Sequence, residues 1–152
     1  MDDIQTTAEA SEADAMPMAR AVHAGASVAP TPEQEPLPAG VTKTPVEQKS
    51  PAQWAYERLI LYIQNFEKSL DAEHEVAMGL TDTGAGILRI EGLGFFDPDL
   101  VTFYGADERG ARVQLVQHVT QLNVILRAAR KPDTVPEARR IGFELARSLE
   151  ED

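Results

Sequence analysis

The sequence predicts an α+β domain: an antiparallel β-sheet of about four to five strands packed by an N-terminal amphipathic helix and one or two C-terminal helical segments, preceded by a disordered tail. Three observations predict it. Residues 87–119 hold three apolar runs separated by Asp97-Pro98-Asp99 and by Asp107-Glu108-Arg109-Gly110. That is the pattern of an antiparallel meander, with Gly110 placed where a short loop takes a positive φ. Residues 50–70 repeat apolar side chains at helical spacing, supplying the cover that a sheet of this size needs on one face. Residues 1–49 contain no Phe, Trp or Tyr and six of the ten prolines, so they offer too little apolar surface to offset the entropy of ordering.

In chain order, residues 1–49 read as an acidic Ala/Pro-rich tail and residues 50–152 as a single α+β domain. Within the tail, Met16–Val28 is Ala-rich and is either a transient helical docking motif or plain flexible chain. Pro30–Pro45 lacks clean PxxP repetition and a basic flank, and reads as a spacer. Order begins at Ser50, an N-cap followed by Pro51 at the first helical position and Gln53 at the capping-box position. The helix runs to about Leu70, with Ala52, Ala55, Leu59, Tyr62, Ile63, Phe66 and Leu70 on one face and Glu57, Arg58, Gln64 and Lys68 away from it. Trp54 and Leu61, seven residues apart with Arg58 between them, lie opposite that stripe. The three form either a contact surface for another protein or a second copy of the chain, or a patch over which another segment of the same chain folds.

His74–Thr81 alternates like a half-buried strand, and Thr81–Gly84 is a polar turn. The next strand starts near Gly86 with Leu88 and Ile90 inward, and Gly92 and Gly94 suggest a bulge or a bend before Phe95-Phe96. Leu100–Ala106 and Ala111–Val119 complete the meander. Between residues 119 and 130 the period supports both states. Val119, Leu122, Leu126 and Ala129 form a helical stripe, while Leu122, Val124, Leu126 and Ala128 alternate like a strand. A helix over 120–130 is the expectation, because basic residues suit its end and Lys131-Pro132 stops it. A second helix is expected from Pro136, with Ala138, Ile141, Leu145 and Leu149 at helical spacing. The alternation of Ile141–Leu145 and the cost of a mid-helix Gly142 count against it.

Composition narrows function by exclusion. The 152 residues carry a formal net charge of −11, about −5 in residues 1–50 and −6 in the remainder, which disfavours nucleic acid and anionic membrane surfaces as partners. Cysteine is absent, which excludes disulfides, thiolate metal sites and cysteine nucleophiles. The start Met1-Asp2-Asp3 has no signal-peptide character and no run reaches the length of a membrane span, so the cytoplasm is the expected location.

Chemical motifs are sparse. Of the three histidines, His23 falls in the tail. Glu73-His74-Glu75 would point successive side chains to opposite faces of a strand, so no metal site is expected. Asp97, Asp99 and Asp107 lack the EF-hand spacing, and the glycines form neither a dinucleotide fingerprint nor a phosphate loop, so no cofactor is expected. His118, Gln121 and Asn123 lie in the densest run of uncharged polar side chains. A catalytic reading makes His118 a general base oriented by the amides, needing a carboxylate such as Asp97 or Asp99 to approach in space. The simpler reading has these groups satisfy backbone atoms where the sheet ends. Arg127, Arg130, Lys131, Arg139 and Arg140 are the one basic concentration, suited to an acidic partner or to a solvated rim.

The runs Asp99–Gly105, Leu115–Asn123 and Arg139–Phe143 together resemble a family of small uncharacterised bacterial proteins, over about residues 51–147. The resemblance implies a bacterial cytosolic setting and no activity. The function expected is a non-enzymatic protein-interaction or accessory module, with a protein partner or a second copy bound through Trp54, Arg58 and Leu61. The alternative is a small-molecule-binding or hydrolytic domain around His118, Gln121 and Asn123.

Overall fold

The computed structural model describes residues 18–25, 29–79 and 86–149. Five strands, β1 (His74–Gly79), β2 (Ile87–Phe96), β3 (Leu100–Ala106), β4 (Arg112–His118) and β5 (Ile125–Arg130), form one antiparallel sheet in the order β4-β3-β2-β1-β5. Helix α1 (Pro51–Glu67) covers one face, and a short helix α2 (Gly142–Arg147) packs on α1. The molecule is therefore α+β, as its apolar periods predict.

The core lies between α1 and the middle of the sheet. Val76, Met78, Leu88, Ile90, Val101 and Phe103 meet Ala52, Ile60 and Ile63, and none of the nine is more than 2% exposed. Full burial of each large side chain contributes about 1.5–3 kcal/mol. The meander forms where the turn signals place it. Asp107 Oδ1 accepts from the backbone N–H groups of Arg109 and Ala111, and Gly110 takes φ +86°, a conformation that other residues adopt at a cost. The expected bulge is present: Ile90 pairs with Gly105 and Gly92 with Tyr104, leaving Glu91 as the extra residue. The strand then continues through Gly94 to Phe96 rather than ending.

Three expectations need correction. Residues 120–130 are not a helix: Val119–Gln121 is a 3-10 turn and Ile125–Arg130 is the strand β5. The strand period wins because the second edge of β1 supplies backbone partners from His74↔Arg130 to Gly79↔Ile125, and an unpaired buried ladder would be costly. Leu122, Val124 and Leu126 are accordingly half-buried between exposed neighbours.

The C-terminal helix begins at Gly142, not Pro136. Residues 131–141 are spent in crossing back to α1, with Lys131 N–H donating to Glu73 O and Arg139 N–H to Glu75 Oε2. Gly142 is thus the first helical residue and not a mid-helix defect. A Cβ there would lie 2.6 Å from Glu67 Oε1 and 3.0 Å from Gln64 Cα, so glycine sets how closely α2 approaches α1.

Part of the residue 1–49 segment is also packed. Residues 29–49 contain 3-10 turns at Pro32–Gln34 and Val46–Gln48 and one helical turn at Ala39–Thr42, and Val41 is 1% exposed in the core. The proline spacing allows this, because such short turns need few backbone donors. Residues 18–25 of the Met16–Val28 patch hold no helix; the rest of that patch, residues 1–15 and the Thr81–Gly84 turn lie outside the described residues.

Candidate functional site

The outer side of α1 begins at its cap. Ser50 Oγ accepts from Gln53 N–H (3.0 Å) and donates to Asp97 Oδ1 (2.5 Å), fixing the helix start to the β2–β3 turn. The capping box is only half made, because the Gln53 side chain donates to Glu57 Oε2 instead (3.2 Å). The buried face of α1 is turned relative to the expected stripe. Ile60 and Glu57 are buried and Tyr62 is exposed. Glu57 was expected to face solvent; it is held by Lys49 Nζ at 2.6 Å, the two side chains being 7% and 1% exposed. Lys49 also donates to Val41 O. A buried charge is tolerable when paired and hydrogen-bonded in this way.

Beside this pair stand the three residues that the sequence singles out. The Arg58 guanidinium lies over the Trp54 ring, and Lys49 Nζ sits 5.4 Å from the ring centroid on a cation–π contact. Arg58 Nη1 donates to Trp54 O (3.2 Å), whereas Nη2 is buried with no hydrogen-bond partner among the described residues. Burial draws the Arg58 guanidinium below its ordinary pKa, opposed by the charge of Glu57.

Residues 18–25 and 29–42 come over this side of the helix. Tyr62 donates to Glu33 Oε2, and Asn65 Nδ2 donates to Pro30 O (2.8 Å). The Glu33 bond pushes the Tyr62 phenol up to about 12, and the same contact holds the Glu33 carboxyl below its usual range. Between the segment and the helix remains a cleft of about 760 Å³, walled by Met18, Pro32, Pro36 and Leu37 on one side and by Trp54, Arg58, Leu61 and Tyr62 on the other. So the structure brings Trp54, Arg58 and Leu61 together, and it makes them one wall of a cleft rather than an open helix face.

His118 has a different setting at the end of β4. Its Nδ1 accepts from Thr120 N–H (3.1 Å) and lies 2.8 Å from Thr120 Oγ1, so the ring proton sits on Nε2 and is donated to Asp99 Oδ2 (3.1 Å). The approach of Asp99 is the one the catalytic reading requires. However, the lone pair that a general base would use is occupied by a backbone donor of the following turn. Gln121 Oε1 accepts from His118 N–H (2.9 Å), while Asn123 makes contacts of its own and is exposed. His118 is half-exposed and lies outside the cleft on α1. The geometry is that of a closed turn.

Several of the remaining charged groups hold the chain together. Glu75, 4% exposed, pairs with Arg89 at 3.1 Å and accepts from Arg139 N–H, and Arg140 donates to His74 O and Asp71 O. Arg130 and Lys131 flank Glu73. Glu67, 7% exposed, accepts from the N–H groups of Ile141 (2.8 Å) and Gly142 (2.7 Å) and so caps α2. Sequence reasoning missed Lys49, Glu57 and Glu67. No local signal marks them, because the partner of each is set by packing. Among the described residues no group of three or more His, Asp and Glu side chains is placed to hold a metal ion, and no helix is long and apolar enough to cross a membrane.

Fold and site together define a small α+β module: a five-stranded sheet backed by one helix whose far side forms a cleft with the preceding segment. A family of unknown function (DUF6173) matches residues 46–144, and the chain belongs to that family. No curated protein and no solved structure matches it.

Proposed function

We propose that the protein is a non-enzymatic, cytoplasmic interaction module that binds a segment of another protein in the cleft that residues 18–25 and 29–42 form with α1. The observation that carries this reading is Arg58, whose Nη2 is buried beside Trp54 with no partner among the described residues. An unsatisfied guanidinium nitrogen costs stability in the free protein and is repaired by an acceptor, such as a carboxylate or a backbone carbonyl, brought in by a ligand. The walls suit an apolar side chain next to that acceptor, since Leu37, Leu61 and Trp54 border it, and Trp and Arg are the residues that most often dominate binding energy. A hydrolytic role for His118, Gln121 and Asn123 has weaker support, because backbone groups occupy the imidazole acceptor and the Gln121 amide oxygen.

The test is affinity capture with the full chain, with Trp54→Ala and with Arg58→Ala, each first shown by circular dichroism to be folded. The reading expects a defined set of partners held by the native chain and lost from both variants, with His118→Ala retaining them. Equal capture by all four proteins would overturn it.

A further inference from the structure

The two edges of the sheet differ in how they are closed. β5 carries Arg127 and Arg130 and runs into Lys131-Pro132, and charge and proline are devices that keep an edge from pairing. β4, Arg-Val-Gln-Leu-Val-Gln-His, has one formal charge, no proline and no bulge. Among the described residues no strand lies on its outer side.

The hydrogen bonds at its two ends show which of its backbone groups are open. Val119 N–H donates to Asp99 O and Asp107 N–H to Ala111 O. In the β3–β4 register these are the odd-numbered positions of β4, so the odd residues turn their amides toward β3 and the even residues turn theirs to the free edge. His118, an even residue, confirms the phase, since its N–H leaves the sheet and is taken by Gln121 Oε1. At the other end, the even-numbered Gly110 N–H is taken by Asp107 O. The open stretch is therefore Arg112, Gln114 and Val116, closed at both ends and centred on Gln114.

We propose that this stretch is a homotypic contact: a second copy of the chain pairs its own β4 antiparallel to the first, about a two-fold axis at Gln114. In that register Arg112 faces Val116 of the partner, Gln114 faces Gln114, and all three open residues of each copy find backbone donors and acceptors. The two glutamine amides are self-complementary across the axis. Arg112 is then diagonal to the partner's His118, which holds Asp99 at 3.1 Å, so each copy sets its one strand cation toward an acid of the other. Two chains of net charge −11 repel, and β4 carries no acidic side chain, which makes it a strand at which they can meet. Val116, 52% exposed, is covered by the pairing. The proposal is independent of the cleft on α1.

Two variants separate this contact from the fold. Gln114→Pro removes an N–H that points to the edge and not to β3, a place where proline is tolerated in a sheet. Val116→Lys places a charge on an exposed position of the same edge. Sedimentation velocity of the full chain is expected to give twice the chain mass, falling to the single mass in both variants, while Trp54→Ala leaves the dimer intact. Amide exchange is expected to slow with protein concentration at Arg112, Gln114 and Val116 and to stay constant at Val113 and Leu115. A native chain that stays monomeric at every concentration overturns the proposal. So does a dimer that survives both substitutions.

Discussion

The two sides of α1 are held by different physics. Toward the sheet, Ile60 and Ile63 are at most 1% exposed among Met78, Leu88 and Phe103, and stability there scales with apolar area removed from water. Away from the sheet, one buried ion pair, the Lys49 ammonium near the Trp54 ring and a phenol–carboxylate bond hold residues 29–49 against the helix. The first side tolerates imperfect shapes of similar volume. The second depends on each partner being present, because removing one charge of a buried pair strands the other. A helix of seventeen residues thus carries a graded interface on one face and an all-or-none interface on the other.

The sharpest way to break the outer side is Lys49→Ala. Glu57 stays buried with its nearer cation gone and only Arg58 Nη1 remaining, 3.9 Å away, and the expected loss is about 3–5 kcal/mol in urea unfolding. Replacing both members, Lys49→Met with Glu57→Leu, is expected to recover most of that loss; a double variant as unstable as the single one would show that volume and not charge matters there. On the sheet side, Ile60→Ala is expected to cost about 2–5 kcal/mol through lost burial and a residual cavity, with no dependence on salt.

Gly142→Ala tests the seam between α1 and α2. The new methyl must displace Glu67 or the α1 backbone, so a loss of about 1–3 kcal/mol is expected, seen as faster amide exchange at Ile141 and Leu145.

The smallest effect is the pH response of the outer side. Below pH 10 the phenol is protonated in folded and unfolded chains alike, and the Tyr62–Glu33 bond contributes fully. As pH rises from 10.0 toward about 12, the unfolded chain releases the proton and the folded chain keeps it, so this contribution is lost across that interval. On the acid side it is present above 4.5 and is lost as pH falls through the lowered pKa of Glu33. Ultraviolet titration should show one of the three tyrosines ionising late, and Glu33→Gln should bring it back toward 10.0.

The parts of the fold that were legible are those decided by neighbours in sequence. Ser50-Pro51 starts α1 and Asp107–Gly110 turns β3 into β4, while alternation places Val101 and Phe103 inward. Trp54, Arg58 and Leu61 were legible as a group from helical spacing, though not as one wall of a cleft, because the other wall comes from proline-rich residues with no aromatic side chain. The approach of Asp99 to His118 was legible as a requirement, and the bonding of the imidazole and amide to backbone groups as the simpler reading; that Thr120 is the donor was not, since it depends on the 3-10 turn that replaced the expected helix.

By itself the sequence determined the α+β class, the meander and the helix in front of it, because a period of two or of 3.6 and a turn residue act over a few bonds. Only the tertiary structure decided which way α1 is rotated, that Ile125–Arg130 is a strand, and that Glu57 and Glu67 are buried. Those outcomes depend on Lys49, on the free edge of β1 and on the N–H groups of Ile141 and Gly142. For the strand and for Glu67, those partners lie tens of residues away, and a local pattern carries no information about what will be brought alongside it.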